Sequence, residues 1–171
     1  MRVLRWLFLA TLSLVLLVQL RLIDGALTSP ETPWGIVGFE LAFTEVRATG
    51  MLSVWQSMGV TDSALVSLGV DVVFLLAYPF MFRSLVQLLR RDDGSGFQRL
   101  GARLSSAVLL CIPLDALENA LLWRELATGA TTPLALTAGM AASIQFLLIL
   151  VTAAWCVGAL SNRLFPRPSH G

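Results

Sequence analysis

The stretch LSSAVLLCIPLDALENALLW, from Leu104 to Trp123, has the length and composition of a helix that crosses a lipid bilayer. Such a helix needs about 20 predominantly apolar residues. The stretch nevertheless carries two carboxylates, Asp115 and Glu118, in its C-terminal half. An ionisable side chain inside a span is costly and normally faces the bundle interior or a wet cavity. The stretch therefore predicts a membrane helix that carries a polar site.

Three further apolar stretches of similar length occur at residues 3–23, 63–82 and 134–160, so the stretch at 104–123 is the third of four. Only 13% of the residues are charged, against about 25% in soluble domains, and the mean hydropathy is +0.77. We predict an all-α integral membrane four-helix bundle that forms a single domain over residues 1–171. The first stretch also has features of a secretory signal peptide. Asp24 stands where its cleavage site would need a small neutral residue, which favours a retained span.

The arginines indicate the orientation of the bundle, because cytoplasmic loops of membrane proteins collect positive charge. Three arginines lie on one side of the predicted topology, namely Arg21, Arg47 and Arg124. Nine lie on the other side: Arg2, Arg5, Arg83, Arg90, Arg91, Arg99, Arg103, Arg163 and Arg167. We therefore expect a multi-pass protein of the bacterial inner (plasma) membrane with both termini in the cytoplasm.

The long connection between the first two spans predicts an additional amphipathic helix at residues 34–60, on the outer side of the membrane. Its apolar residues fall close to one helical face: Ile36, Phe39, Phe43, Val46, Met51, Val54 and Met58. Glu40, Thr44 and Arg47 fall on another face. Between the second and third spans, residues 90–99 predict a flexible cytoplasmic turn, because Gly94 and Gly96 interrupt a helix.

Three stretches together resemble a group of small bacterial four-helix membrane proteins: GFELAFTEVR (residues 38–47), LGVDVVFLLAYPFMF (68–82) and PLDALENALL (113–122). The resemblance covers most of residues 34 to 123. It implies a four-helix membrane fold and transfers no function to any residue.

The second and third spans run antiparallel in this topology, which brings their acids to the same depth. Asp71 lies eight residues inside Ser63, and Asp115 lies eight residues inside Trp123. At about 1.5 Å per residue, both carboxylates lie roughly 12 Å below the outer interface. Glu118 follows about one helical turn nearer the surface. We therefore predict an acidic pocket in the outer half of the membrane.

The predicted ligand-binding residues are those that share a helical face with these acids or approach them from another segment. They are Asp71, Asp115, Glu118, Asn119, Tyr78, Ser67, Gln145, Glu40 and Arg47. Three carboxylates in a dry interior cannot all remain charged. They share protons, or else a cation, water or an arginine enters. Arg47 on the amphipathic helix and Arg124 at the end of the third span are the nearest candidate arginines.

Several chemistries are excluded by composition. All twelve basic residues are arginine, so a lysine Schiff base is excluded, and the single histidine, His170, offers no imidazole inside the bundle. Cys111 and Cys156 form no C-x-x-C pair and predict two buried thiols. We expect no cofactor and no metal site. A formal charge of +1 gives no surface for nucleic acid.

Three functions stay open at this point. The first is a non-enzymatic protein of the bilayer that binds a lipid or a small amphipathic or cationic ligand in the acidic pocket. The second is a lipid-directed enzyme, isomerase-like, that uses Asp71, Asp115 and Glu118 for acid/base chemistry. The third is a partner in a homo- or hetero-oligomer, in which the acids belong to a structural hydrogen-bond staple.

Overall fold

The computed structural model describes residues 1–91 and 95–165, and this part of the chain is helical without strands. Two short helices, α2 and α3, follow the first long helix, and a 3₁₀ turn at Val108–Leu110 joins α5 to α6. The α-helices are α1 (Arg2–Leu27), α2 (Gly35–Glu40), α3 (Glu45–Met58), α4 (Thr61–Leu89), α5 (Gly96–Ala107), α6 (Cys111–Thr128) and α7 (Thr132–Leu164). The all-α prediction is therefore confirmed.

Four segments of the described chain are long and apolar enough to cross a membrane. They are Arg2–Leu27, Thr61–Leu89, Gly96–Thr128 and Thr132–Leu164, which coincide with the four predicted spans and extend beyond each of them. The third combines α5, the 3₁₀ turn and α6. Pro113, three residues after the turn, lacks the amide hydrogen that the carbonyl oxygen of Leu109 would otherwise accept, so the helix tightens locally there. By length and composition, the chain is a multi-pass membrane protein.

The helices pack as a bundle in which α4 is central. It contacts α1 along its length and also contacts α5, α6 and α7, while α6 and α7 pack against each other. Helix α1 buries only four residues, Ser13, Leu16, Asp24 and Leu27, which indicates that it lies at the side of the bundle. Its long apolar surface is otherwise exposed.

Apolar clusters hold the two ends of the bundle together. At one end, Trp55 of α3 is fully buried, donates its indole hydrogen to the carbonyl oxygen of Leu27 at 2.9 Å, and packs edge-on against Phe39. At the other end, Trp155 of α7 donates to the carbonyl oxygen of Phe97 at 2.9 Å and stacks on its ring. Both cysteines are buried free thiols, as predicted.

Residues 34–60 form two helices where the sequence predicts one. Residues 41–44 separate α2 from α3, and Phe43 has a φ of +59°, which is uncommon for a bulky residue. Thr44 then starts α3 anew, because its hydroxyl oxygen accepts from the Arg47 amide at 3.4 Å. Of the predicted apolar face in α3, Met51 and Val54 pack against the core, whereas Val46 and Met58 are exposed. Ala48, Leu52 and Trp55 are buried instead.

The turn between α2 and α3 is anchored on α7. A Cβ atom added to Gly139 would lie 2.7 Å from a ring carbon of Phe43, so only glycine lets the ring pack this closely. Ala138 and Ala142 beside it are also buried. The small residues of α7 therefore receive an aromatic ring from the same chain.

The predicted turn at residues 90–99 is described only in part. Helix α4 ends at Leu89, and α5 begins at Gly96 with Ser95 as its N-cap. Residues 92–94 lie outside the described part of the chain, as do Arg167 and His170.

Candidate functional site

A cavity of about 170 Å³ lies where the C-terminal half of α1 and helix α2 meet α4, α6 and α7. Apolar side chains such as Leu68, Phe74 and Ile149 form much of its wall. Seven of the nine predicted ligand-binding residues line it: Glu40, Ser67, Asp71, Tyr78, Asp115, Glu118 and Gln145. The structure thus brings acids from α2, α4 and α6 to one pocket.

Asp115 is the hub of a hydrogen-bond network beside this cavity. Its Oδ2 accepts from the Tyr78 hydroxyl at 3.2 Å and from Nε2 of Gln145 at 3.1 Å. Its Oδ1 accepts from Nδ2 of Asn119 at 3.3 Å, and that nitrogen also donates to Oδ2 of Asp71 at 2.7 Å. The eighth predicted residue, Asn119, therefore joins the two carboxyl groups. The three donors fix Asp115 between α4, α6 and α7.

Glu118 is placed differently from Asp115. Its side chain is 4% exposed and lines the cavity. Within residues 1–91 and 95–165, no hydrogen bond or ion pair holds its carboxylate. Buried polar groups normally have partners, and a buried carboxylate needs one more than most. Glu118 is thus an acceptor directed into the cavity with no partner from the described chain.

Gln145 provides a second unpartnered acceptor. Its amide nitrogen is engaged by Asp115, but its buried oxygen Oε1 has no hydrogen-bond partner among the described residues. The side chain is 7% exposed and lines the same cavity as Glu118. Two side chains on two different helices, Glu118 on α6 and Gln145 on α7, therefore leave acceptors unpaired at this site.

Comparison with protein-family models, curated proteins and solved structures finds no match to this chain. The site is therefore interpreted from its own geometry and chemistry.

Arg21 and Asp24, at the end of α1, form the rim of the cavity and are absent from the predicted set. Nη1 of Arg21 lies 3.8 Å from Oδ2 of Asp24, and the arginine side chain is 68% exposed. Oδ1 of Asp24 accepts from the amide of Ile36 at 2.6 Å. A sequence signal for this pair exists, since an arginine and an acid three residues apart end an otherwise apolar span.

The structure does not bring Arg47 to the acids. It lies exposed on α3 beside a separate hollow that Trp34 and Met51 also line. Arg124 is exposed on α6 and does not line the acidic cavity. Among the described arginines, Arg21 alone lines it, because the turn that follows α1 returns α2 over the end of that helix.

Glu40 is the last residue of α2 and lines the cavity from outside the four membrane-length helices. Burial raises the pKa of its carboxyl from the usual 4.5 to about 8, and the charges of Asp71 and Asp24 add to this, while Arg21 acts in the opposite direction. Five carboxyl groups and one guanidinium group therefore line the cavity.

No cluster of three or more His, Cys, Asp or Glu side chains within the described chain is arranged to hold a metal ion. The arrangement is suited to an organic cation or to a proton-sharing network.

Proposed function

We propose that this protein binds a lipid or a small amphipathic or cationic ligand in the acidic cavity, from within the bilayer. The observation that carries the proposal is Glu118, a buried carboxylate that lines the cavity and has no hydrogen-bond partner among the described residues. Unpartnered carboxylate and amide acceptors beside apolar walls favour a ligand with both a polar, positively charged group and an apolar part.

Native mass spectrometry of the purified chain in detergent tests this proposal. We expect the wild type to retain a bound lipid or small molecule, and the Glu118→Gln variant to lose it, because the variant keeps the shape and removes the charge. Asp62→Asn is the matched control, since Asp62 is an exposed acid in the first turn of α4, away from the cavity. Retention of the same adduct by the Glu118 variant would exclude this site as its place of binding.

The polar-staple function has an observation of its own in its favour. Asn119 connects Asp71 and Asp115 directly, and such bonds join helices without any ligand. Interhelical hydrogen bonds in membrane proteins contribute only about 0.6 kcal/mol on average. A staple accounts for Asp71 and Asp115 but leaves Glu118 unexplained, which is why we favour ligand binding.

We further propose that the protein resides in the inner membrane with both termini in the cytoplasm and with α2 and α3 on the outer side. The arginine distribution supports this orientation. Gln56 on α3 and Gln87 on α4 are exposed, and both native cysteines are buried, so single cysteines at these positions provide clean labels. In spheroplasts, a membrane-impermeant maleimide should label Gln56→Cys, and Gln87→Cys only after lysis. The reverse pattern would invert the topology.

A further inference from the structure

We infer that the ligand of the acidic cavity binds through a protonated amine that still carries N–H hydrogens, a primary or secondary ammonium group. This inference rests on the proposed ligand-binding function and names the chemical class of the ligand. It follows from the kind of polar atom that the site leaves unpaired.

Three of the side-chain donors inside the site already have acceptors. The Tyr78 hydroxyl and the Gln145 amide nitrogen donate to Asp115, and the Asn119 amide nitrogen donates to Asp71 and Asp115. Arg21 lies at the rim, where its side chain is 68% exposed and its Nη1 lies 3.8 Å from the Asp24 carboxylate. The protein thus offers a ligand few hydrogens of its own.

The acceptors, in contrast, are left over. Glu118 is 4% exposed, lines the cavity and has no hydrogen-bond partner among the described residues. Oε1 of Gln145, on the wall of the same cavity, is buried and has no partner among them either. The Ser67 hydroxyl, also buried against the cavity, can accept as well as donate. A ligand that completes this site must therefore supply several hydrogens from one positively charged group.

An ammonium group with N–H bonds meets both requirements, because it is positively charged and a multiple donor. A quaternary ammonium group has the charge but no hydrogen to donate, so it would leave Glu118 and Gln145 unpaired in a buried site. Phe74, Tyr78 and Phe146 also line the cavity. Aromatic faces of this kind can bind quaternary ammonium groups, and this alternative becomes one outcome of the test.

The size of the cavity restricts the ligand further. Its volume is about 170 Å³, and an engineered cavity of roughly 150 Å³ accommodates benzene. The polar group and a few carbons therefore fit inside. A longer hydrocarbon chain has to leave the cavity along its apolar wall.

Two isomeric cations provide the decisive comparison. n-Butylammonium and tetramethylammonium contain the same atoms and carry the same charge, but the first has three N–H bonds and the second has none. We expect n-butylammonium to raise the melting temperature of the wild-type chain in phosphatidylcholine nanodiscs, by a shift that grows with the logarithm of its concentration above the Kd. Tetramethylammonium should bind at least about tenfold more weakly, as expected when two buried acceptors lose their partners.

The possible results distinguish the inference about the amine from the proposed ligand-binding function. Equal affinity for the two isomers, or a preference for tetramethylammonium, would overturn the inference and leave cation binding intact. If neither cation binds in phosphatidylcholine, and phosphatidylethanolamine does not change the melting temperature, the proposed function itself fails. In the Glu118→Gln variant the preference for n-butylammonium should disappear. Because the wild-type comparison is decisive alone, a poorly folding variant does not compromise the test.

The same amine chemistry occurs in a phosphatidylethanolamine head group and in a free alkylamine. Nanodiscs of phosphatidylcholine alone, and of equal parts phosphatidylcholine and phosphatidylethanolamine, separate the two sources. If the lipid head group occupies the cavity, the mixed nanodiscs should raise the melting temperature and weaken the apparent affinity for n-butylammonium. An unchanged affinity would assign the site to a free amine.

Discussion

The amide nitrogen of Asn119 on α6 lies 2.7 Å from Oδ2 of Asp71 on α4, and this hydrogen bond joins positions 48 residues apart in the sequence. The same nitrogen donates to Asp115 one turn away on its own helix. One neutral amide group therefore bridges two carboxyl groups, and no hydrogen bond or ion pair from a described arginine joins them. The site depends on a donor at position 119.

Replacing Asn119 by Asp removes this donor at almost constant volume and places an acceptor against two acids. We expect the free energy of unfolding to fall by about 1–3 kcal/mol, because buried acceptors lose their partner. Chemical denaturation in mixed micelles measures this change. Asn162→Asp is the matched control, since Asn162 is exposed on α7 and should tolerate the change. Equal stability of the two variants would contradict the network described for Asn119.

The unequal bonding of Asp71 and Asp115 leads to a second expectation. Asp115 accepts from three side chains, whereas Asp71 accepts from one, Asn119, and also lies within hydrogen-bond reach of the Asp115 carboxyl. An asparagine at position 115 has one acceptor oxygen in place of two, so at least one donor loses its bond. Asp115→Asn should therefore lower the melting temperature more than Asp71→Asn does. The opposite order would show that charge repulsion, and not hydrogen bonding, dominates the pair.

The meeting of Asp71 and Asp115 could be predicted from the sequence because it depends only on helical rise. Antiparallel spans of regular pitch bring residues of equal depth together. The contribution of Arg21 and Asp24 to the cavity could not be predicted in this way, since it depends on the turn that brings α2 over the end of α1. The hydrophobic pattern also did not predict that residues 34–60 form two helices, because the change of direction depends on the positive φ of Phe43. A hydrophobic pattern predicts which residues of a regular helix share a face. It does not predict where a residue with irregular backbone angles ends one helix and changes the direction of the next.

Gly35 is required where α2 begins. Its φ is +50°, and a Cβ atom there would collide with the Asp24 carboxylate that accepts from Ile36. Gly35→Ala should cost about 1–3 kcal/mol and displace α2 from the cavity. In Gly50→Ala, the added methyl meets nothing within 4 Å on an exposed turn of α3, so it should stabilise by roughly 0.5–1 kcal/mol. Thermal unfolding of the pair measures both effects, and equal effects would contradict the close approach at Asp24.

Glu125 is a buried acid apart from the cavity. It is 0% exposed, and neither carboxyl oxygen has a hydrogen-bond partner among the described residues. Glu125→Leu should raise the free energy of unfolding by about 1–3 kcal/mol, because it removes unpaired polar atoms at similar volume. Glu125→Gln should gain less, since its amide stays unpaired. A loss of stability in the leucine variant would mean that a water molecule or a ligand bonds to Glu125.

The stability of the protein should depend on pH through Glu40, which lies on α2 and outside the four membrane-length segments. The half-buried carboxyl at the end of α2 is surrounded by Asp24 and Arg21 of α1, Asp71 of α4, and Glu118 of α6. Burial and the neighbouring acids disfavour its charged form, so its pKa in the folded protein is about 8 instead of the usual 4.5. The folded chain therefore holds a proton that the unfolded chain releases at lower pH.

The sign of the effect on stability follows from this difference in bound protons. The contribution of Glu40 is fully present below pH 4.5, declines as the pH rises toward about 8, and is constant beyond that. Melting temperatures of the wild type should decrease across this range. In the Glu40→Gln variant the decrease should be smaller, because glutamine keeps the shape of the protonated side chain and does not titrate. Glu31→Gln, which changes an exposed acid ahead of α2, should leave the wild-type slope unchanged. Parallel slopes for the wild type and the Glu40 variant would show that Glu40 is already ionised in the folded protein near neutral pH.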